Sequence, residues 1–222
     1  MTVRFRLLTA NLLHGRSNPG VFARVIAEHD PDLVVVQELG PGPADVLASA
    51  YPHTHLRPAL DFSGRGIATR FAGELGDIVM PGRVAVGGSL RIQGQVVRIA
   101  GVHLLNPVQF PWWKTAQQRG EQVDEVIRWT AGGTGPLVVV GDFNATKHWP
   151  AYQRIVTRLD DLVLGLGKRP KPTWGYRPGW PKMLRIDHVF GEGLTATDIQ
   201  TIDIEGSDHV AIVADLATVE HA

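Results

Sequence analysis

The sequence predicts a mixed α/β fold in which strands outnumber helices. Three observations predict it: short apolar runs of strand length recur along the chain, only about three segments have helical spacing, and the runs follow one another as antiparallel pairs would. With 222 residues, 44% hydrophobic and 20% charged, the chain can bury one substantial core. Because no Pro/Gly/Ser-rich stretch is long enough to act as a linker, we expect residues 1–222 to form a single domain.

The predicted strands end at polar residues that can carry chemistry. Six strand ends have this form: 3–9 before Asn11, 33–36 before Glu38, 96–102 before His103, 137–140 before Asp142 and Asn144, 185–186 before Asp187, and 206–207 before Asp208 and His209. Because a hydrogen-bonded strand holds its side chains rigidly, six such ends at one rim would form a site.

Helices are predicted in three places and a hairpin in one. Asn18 and Pro19 form a helix-start signal, and residues 116–129 and 151–159 carry apolar side chains at helical spacing. The Gln-Gly pair at 93–94, between two apolar runs, is typical of a hairpin turn.

Charge and composition exclude several classes of protein. Lys+Arg and Asp+Glu number 22 each, so the chain lacks the strong positive charge of domains that hold nucleic acid by bulk electrostatics. Without cysteine, any metal must bind to oxygen or imidazole. Arg4 and Arg6 interrupt the only apolar stretch at the N-terminus, and no run is long enough to span a bilayer. We therefore expect a soluble, cytoplasmic protein without a membrane span.

The polar strand ends together predict a hard-cation site. They supply carboxylate and amide oxygens with two imidazoles, a set that suits Mg²⁺ or Mn²⁺, whereas zinc would use more histidine. Hydrolysis of a phosphoester needs an activated water, a cation and donors around the phosphoryl oxygens, and this set contains a candidate for each. Taken singly, Asn144 would be a turn residue, Glu38 a loop residue and His103 a core histidine. Only their joint occurrence favours chemistry.

The remaining histidines are predicted to be structural or exposed. His188 neighbours Asp187 on a strand and must point to the opposite face, so we expect it in the core. His14, His53, His55 and His148 belong to no recognised pattern and are expected at the surface.

Six segments carry a family resemblance: TANLLHG (9–15), QELG (37–40), GVHLLN (101–106), GDFNA (141–145), RIDHVF (185–190) and GSDHVAI (206–212). In this order they resemble the motifs of the endonuclease/exonuclease/phosphatase superfamily. The resemblance implies a four-layer α/β sandwich, with two mostly antiparallel β-sheets packed face to face and helices outside (DNase I-like). It also implies an Mg²⁺- or Mn²⁺-dependent phosphoric ester hydrolase.

The resemblance implies a metal set. Glu38 is expected to bind the essential Mg²⁺ (or Mn²⁺), and Asn11 and Asp208 to contribute directly or through water. Some members carry an acidic residue two places after the first Asn, where this chain has Leu13. A second metal ligand is therefore missing at that place.

It also implies catalytic roles. Asp142 is expected to position or deprotonate the attacking water, and Asn144 to hold water and phosphate. His209 is expected to contact the scissile phosphate while Asp187 fixes its tautomer. His103 matches the position where other members place His or Tyr to stabilise the transition state. The identity of the general base stays open.

Substrate contacts are predicted in three places. Asn106 is a phosphate-contact candidate, and Arg65, within residues 63–70, is expected to face the cleft. Residues 168–185 mix basic and aromatic side chains, which suits either a specificity loop or a solvated loop with its rings packed beneath it. As a specificity loop, its Arg and Lys side chains, Arg177 among them, would hold phosphates, and Trp174 or Trp180 would stack on a base or cover an acyl chain.

The expected substrate is a phosphodiester, which leaves open nucleic acid, a phospholipid or a small phosphodiester. A DNA endonuclease or exonuclease of the abasic-site or DNase type is the alternative within the enzyme class. A catalytically inactive phosphate-binding module is the alternative from another class. It is disfavoured because no member of the polar set is replaced by an inert residue.

Overall fold

A computed structural model describes residues 2–167 and 169–219, so that Lys168 of the predicted specificity loop lies outside the described residues. The strands of the described chain are β1 (Arg4–Asn11), β2 (Leu33–Gln37), β3 (His53–Arg57), β4 (Arg65–Thr69), β5 (Gly73–Met80), β6 (Arg83–Ile92), β7 (Gln95–His103), β8 (Leu137–Asp142), β9 (Asp160–Asp161), β10 (Asp187–Glu192), β11 (Leu194–Asp203) and β12 (Val210–Thr218). Its helices are α1 (Pro19–His29), α2 (Pro41–Ala50), α3 (Trp112–Ala131), α4 (Pro150–Ile155) and α5 (Leu162–Gly165).

The strands form two six-stranded sheets. The first has the order β11-β12-β1-β2-β4-β3 and the second β5-β6-β7-β8-β10-β9. Each sheet contains one parallel pair, β1 with β2 and β7 with β8, and its other pairs are antiparallel.

Alternation along the central strands explains the layers. In β2, Leu33 and Val35 belong to the core between the two sheets, whereas Val34 and Val36 belong to a second core beneath α1 and α2. A third core lies between the second sheet and helices α3 and α4. Both faces of the central strands are therefore buried, which is why their sequences are continuously apolar. The predicted four-layer sandwich is confirmed.

The helices agree with the sequence in part. Asn18 caps α1 as predicted, accepting hydrogen bonds from the backbone N–H groups of Gly20 and Val21. The predicted helix at 116–129 is longer, and that at 151–159 is shorter. The prediction of only about three helices was wrong, because α2 and the short α5 also form. No helix in the described part of the chain is long and apolar enough to cross a membrane.

The parallel pairs place four polar residues at one edge of the sandwich. Asn11 and Gln37 are register partners at the ends of β1 and β2, and His103 and Asp142 are register partners at the ends of β7 and β8. The Asn11 side chain reaches Asp142 in the other sheet, so both strand ends open onto the same edge.

Candidate active site

A cleft of about 580 Å³ lies at this edge. Eight of the twelve predicted site residues line it: Glu38, His103, Asn106, Asp142, Asn144, Trp174, Asp208 and His209. Asn11 and Asp187 are almost fully buried and contact these residues from beneath. The sequence therefore identified the main walls and the base of the cleft.

Asn11 joins the carboxylates of the two sheets. Its Nδ2 donates to Glu38 Oε1 at 3.2 Å and to Asp142 Oδ2 at 3.1 Å, while its Oδ1 accepts from the backbone N–H of Leu13 at 3.0 Å. In this orientation Asn11 offers the cleft an amide NH₂ and no free oxygen. This arrangement fits the indirect role expected of Asn11 and does not fit direct ligation of a cation.

Glu38 stands in an unusual backbone conformation. Leu13, His14, Glu38 and Asn144 all have left-handed φ, between 46° and 54°, and they are four of the six such non-glycine residues in the described chain. This conformation is costly for residues with a side chain, and its concentration at one cleft indicates a functional constraint.

His14 lies in the site, contrary to the expectation that it is a surface residue. Its backbone N–H donates to Glu38 Oε2 at 2.9 Å, and its Nε2 lies 3.1 Å from the same oxygen. The sequence offered one signal for it, its place in the turn directly after the Asn11 motif.

Asp142 is held by the loop that follows it. Its Oδ1 accepts from the backbone N–H of Asn144 at 2.8 Å, and Asn144 Nδ2 donates to the carbonyl of Leu104 at 3.0 Å. Arg119 of α3 fixes the same loop by donating to the Asn144 carbonyl at 3.0 Å. Burial, followed by the nearby Asp187 carboxylate, raises the pKa of Asp142 to about 7.

Asp187 and His209 form a buried pair. His209 Nδ1 and Asp187 Oδ2 are 2.9 Å apart, and the Asp187 backbone N–H donates to Thr173 Oγ1. Burial alone would lower the pKa of His209, but the Asp187 carboxylate outweighs it and, with Asp142, raises that pKa to about 9. His209 Nε2 faces the cleft, 3.8 Å from Asp142 Oδ2 and 3.9 Å from Asp208 Oδ1.

The surroundings of His103 shift its pKa in the direction opposite to that of His209. His103 Nε2 lies 3.5 Å from Asp142 Oδ2 and 3.7 Å from Glu38 Oε1. Burial, followed by the positive charges of Arg83 and His209, lowers its pKa well below the ordinary value. Of these two rings, that of His209 is therefore an imidazolium at neutral pH and that of His103 is neutral.

Asp208 is fixed by the segment predicted to be a specificity loop. Its Oδ2 accepts from Trp174 Nε1 at 2.9 Å, and its carbonyl accepts from Lys182 Nζ at 2.9 Å and from the Gly175 N–H at 3.0 Å. Asp208 Oδ1 is buried without a hydrogen-bond partner. Trp174 therefore holds a carboxylate of the site in addition to lining the cleft.

Sequence reasoning missed Arg83, a cation in the cleft wall. Its NH1 donates to the Phe62 carbonyl at 3.2 Å, its guanidinium lies 4.2 Å from the Phe62 ring centroid, and its Nε is buried without a partner. Burial lowers its pKa, while Glu38 and Asp142 oppose that shift. Arg83 follows a Pro-Gly turn and belongs to no motif, so no feature of the sequence marks it as a site residue.

Two predicted substrate contacts lie outside the cleft. Arg65 pairs with Asp77 at 2.9 Å and is not among the lining residues, so the expectation that it faces the cleft was wrong. Arg177 is exposed and lies 5.7 Å from the ring centroids of Tyr176 and Trp180, outside the cleft wall. An Arg177 side chain in this position does not reach the site.

His188, by contrast, is fully buried, as predicted. It lies 2.7 Å from the Ala145 carbonyl through Nε2.

The donor set fits a divalent cation. In the described chain, Asp142, Asp187 and His209 form a group whose ligand atoms lie within 4.8 Å of one another. Within this group Asp187 and His209 already bond each other through Oδ2 and Nδ1, which occupies two of the ligand atoms. The unpartnered oxygen of Asp208 and the Glu38 carboxylate face the cleft and suit a hard cation.

The two-sheet fold and a cleft lined by carboxylates, amides and imidazoles agree with one family of known proteins. The chain belongs to the Endonuclease/Exonuclease/phosphatase family, whose model matches residues 8–209.

Known relatives and structures are similar to different extents. UPF0294 protein VV2535 of Vibrio vulnificus (strain YJ016) is 27% identical over 117 residues, which are 52% of this chain and 38% of that relative. D. rerio TDP2 complexed with single strand DNA product has a TM-score of 0.75 at 18% identity and covers 96% of this chain and 98% of its own. The human Nocturnin catalytic domain with bound sulfate anion has a TM-score of 0.74 at 17% identity and covers 99% of this chain and 97% of its own. At these identities the two structures show the fold alone.

Proposed function

We propose that this protein hydrolyses phosphodiesters with a bound Mg²⁺ or Mn²⁺. The observation that carries the proposal is the buried Asp187–His209 pair, whose free Nε2 faces Asp142 across the cleft. An imidazolium next to a carboxylate of raised pKa supplies a donor for a phosphoryl oxygen and an acceptor for water in one place. We take residues 1–222 to form one domain, because the two sheets share one hydrophobic core.

The chain's own residues divide the work between them. Glu38 and Asp208 hold the cation, which when bound neutralises charge on the phosphoryl oxygens. Asp142 holds the attacking water and, with a pKa near 7, exchanges a proton near neutral pH. His209 donates from Nε2 to a phosphoryl oxygen while Asp187 keeps its tautomer.

The second sheet adds donors on the other side of the cleft. His103, neutral and 3.5 Å from Asp142, donates or accepts without adding charge. Asn106 lines the cleft and accepts through Oδ1 from the Val108 N–H, so its Nδ2 supplies a donor for the phosphate. Asn144 Nδ2 already donates to the Leu104 carbonyl and to Asp142 Oδ2, so Asn144 acts by holding the residue that positions the water. Arg83 supplies a fixed positive charge at the wall.

Nucleic acid is the second candidate substrate. Trp174 lines the cleft and presents an aromatic face next to Asp208, as a base-stacking residue would. The similar D. rerio TDP2 structure holds a single strand DNA product, and the Nocturnin structure a sulfate anion. Phospholipids and small phosphodiesters contain the same scissile group, so the test includes them as substrates. An inactive binding module is disfavoured because every residue of the expected set is present.

The test is hydrolysis of bis-p-nitrophenyl phosphate with Mg²⁺, with Mn²⁺ and with a chelator. A substrate panel of abasic and plain duplex DNA, single strands, RNA, sphingomyelin and inositol phosphates accompanies it. We expect turnover with either metal, none with the chelator, and a loss of at least about a hundredfold in Glu38→Gln, because the cation loses its main ligand. Glu28→Gln, which changes an exposed carboxylate on α1, is the matched control. Undiminished turnover with the chelator would contradict the proposal.

A further inference from the structure

The side chains of His14 and Glu38 are in close contact at the cleft. His14 Nε2 lies 3.1 Å from Glu38 Oε2. The backbone N–H of His14 also donates to that oxygen at 2.9 Å. A ring nitrogen and a carboxylate oxygen therefore lie side by side at the cleft wall.

This separation matches adjacent ligands of one metal ion. Two ligands at neighbouring corners of an octahedron, each about 2.1 Å from the metal, are about 3.0 Å apart. Resting on the proposed function, which places the cation at Glu38, we propose that His14 Nε2 is a second protein ligand of that cation, next to Glu38 Oε2. An imidazole nitrogen binds Mn²⁺ and later transition metals in preference to Mg²⁺. The site is thereby tuned towards Mn²⁺.

The backbone around His14 is built to hold this position. Leu13, His14 and Gly15 all have left-handed φ, at 46°, 54° and 71°. A Cβ on Gly15 would lie 2.4 Å from Gly40 Cα, so the turn is pressed against the chain that follows Glu38. The Gly15 N–H also donates to the Glu38 carbonyl at 2.9 Å. Two side-chain-bearing residues in this conformation are costly, and they bring the ring over the carboxylate.

The ring itself is fixed and open to the cleft. His14 packs edge-to-face with Phe62, their centroids 6.5 Å apart, and 37% of its side chain is exposed. Both residues line the cleft. His103 lies against the other oxygen of Glu38, with its Nε2 3.7 Å from Oε1, so the two imidazoles flank one carboxylate.

Electron spin-echo spectroscopy of Mn²⁺ bound to the full chain tests the proposal. Histidine nitrogen bound to Mn²⁺ gives a ¹⁴N modulation, which ¹⁵N-histidine labelling of the unchanged protein must alter. We expect His14→Asn to reduce this signal and to weaken Mn²⁺ binding by about tenfold in titration calorimetry, with a much smaller change for Mg²⁺. Asn tolerates left-handed φ, and His14→Gly is a second variant that adopts it freely. His53→Asn, at an exposed histidine of β3, is the control and should change neither measurement.

The outcomes separate this inference from the proposed function. Mn²⁺ binding with no histidine modulation, or with the same modulation and affinity in both His14 variants, overturns the inference and leaves the proposed function standing. A wild-type protein that binds neither Mn²⁺ nor Mg²⁺ overturns both.

Discussion

Asp187 keeps His209 charged, and burial keeps His103 neutral, although the two rings face the same carboxylate. Asp142 Oδ2 lies 3.8 Å from His209 Nε2 and 3.5 Å from His103 Nε2. His209 has the 2.9 Å contact with the Asp187 carboxylate, which raises its pKa, whereas His103 has no such partner and the charges of Arg83 and His209 add to the effect of burial in lowering its pKa. The surroundings of each ring therefore set its charge, and two residues of the same type differ in their chemistry.

The Asp187–His209 pair should act as one unit. We expect Asp187→Asn and His209→Ala each to lower kcat by at least about a hundredfold, close to 3 kcal/mol, because each leaves the other without its partner. The double variant should be little worse than either single one. Steady-state kinetics on bis-p-nitrophenyl phosphate gives kcat for the wild type, the two single variants and the double variant. Asp203→Asn, which changes an exposed carboxylate, is the control. Losses that simply add would show that the two residues work independently.

Trp174 and Arg177 should differ sharply although both belong to the segment predicted to select substrate. Trp174→Phe keeps a ring but loses the N–H that donates to Asp208 Oδ2, so we expect kcat/KM to fall by about tenfold even for bis-p-nitrophenyl phosphate. Arg177→Ala should leave that substrate within about twofold, because its side chain is exposed outside the cleft. A large loss in Arg177→Ala would mean that the segment moves over the cleft.

At the scale of elements, a buried ion pair supports the strand that carries Asp187. Asp161 accepts both guanidinium N–H groups of Arg185 at 2.8 Å and the Tyr152 hydroxyl at 2.7 Å. Burial would raise the pKa of Asp161. His188, 3.8 Å away, and the shorter and stronger contact with Arg185 outweigh burial and hold that pKa below its usual range. The carboxylate ties α4 and β9 to the chain just before the site.

The stability contributed by Asp161 should depend on pH. Because its pKa is lower in the folded state, its contribution is present above the unfolded value of about 3.9 and is lost as pH falls towards the folded value. We expect Asp161→Asn to cost about 2–4 kcal/mol at pH 7, since it leaves Arg185 buried without a counter-charge. The gap between the two proteins should narrow below about pH 4. Urea unfolding of both proteins from pH 7 to pH 3 measures this difference in the free energy of unfolding. A difference that does not depend on pH would exclude an ion-pair origin.

Periodicity predicted most of the elements, and the exceptions have physical causes. The apolar runs of β2 and β8 are evident because both faces of those strands are buried. Helix α2 was missed because its first residues, Pro41, Gly42 and Pro43, are typical of a turn, and packing of Leu47 beneath the sheet decides its conformation. Arg83 was missed because only tertiary packing brings it to the cleft, so no local pattern marks it. His14 follows the Asn11 motif directly, but only the fold shows that its ring lies against Glu38.

At the scale of the whole molecule, the site depends on the distance between the two sheets. Glu38 follows a strand of the first sheet, His103 and Asp142 end strands of the second, and Asn11 bonds across the gap. The sheets are in tight contact where Val35 meets Gly101, because a Cβ on Gly101 would lie 2.3 Å from Val35 Cγ1. The same two strands lead directly to Glu38 and His103.

Widening this contact should lower stability and catalysis together. We expect Gly101→Ala to cost about 1–3 kcal/mol, because the added methyl group must push the sheets apart or displace Val35. Val35→Ala should cost about 2 kcal/mol through the cavity that it leaves. In the double variant the new methyl group fills the space that Val35 vacates, so the combined loss should fall short of the sum by about 1 kcal/mol or more.

Urea unfolding gives the four stabilities, and calorimetry with Mn²⁺ gives the affinity of each protein. Gly76→Ala is the matched control, because a Cβ at Gly76 meets no atom within 4 Å, and it should change stability by less than about 0.5 kcal/mol. Mn²⁺ affinity should change little among the four proteins, since His14, Glu38 and Asp208 all flank strands of the first sheet. The kcat for bis-p-nitrophenyl phosphate should instead fall in Gly101→Ala and recover in the double variant, since His103 and Asp142 belong to the second sheet. If Mn²⁺ affinity falls in Gly101→Ala in step with stability, a residue of the second sheet also holds the cation.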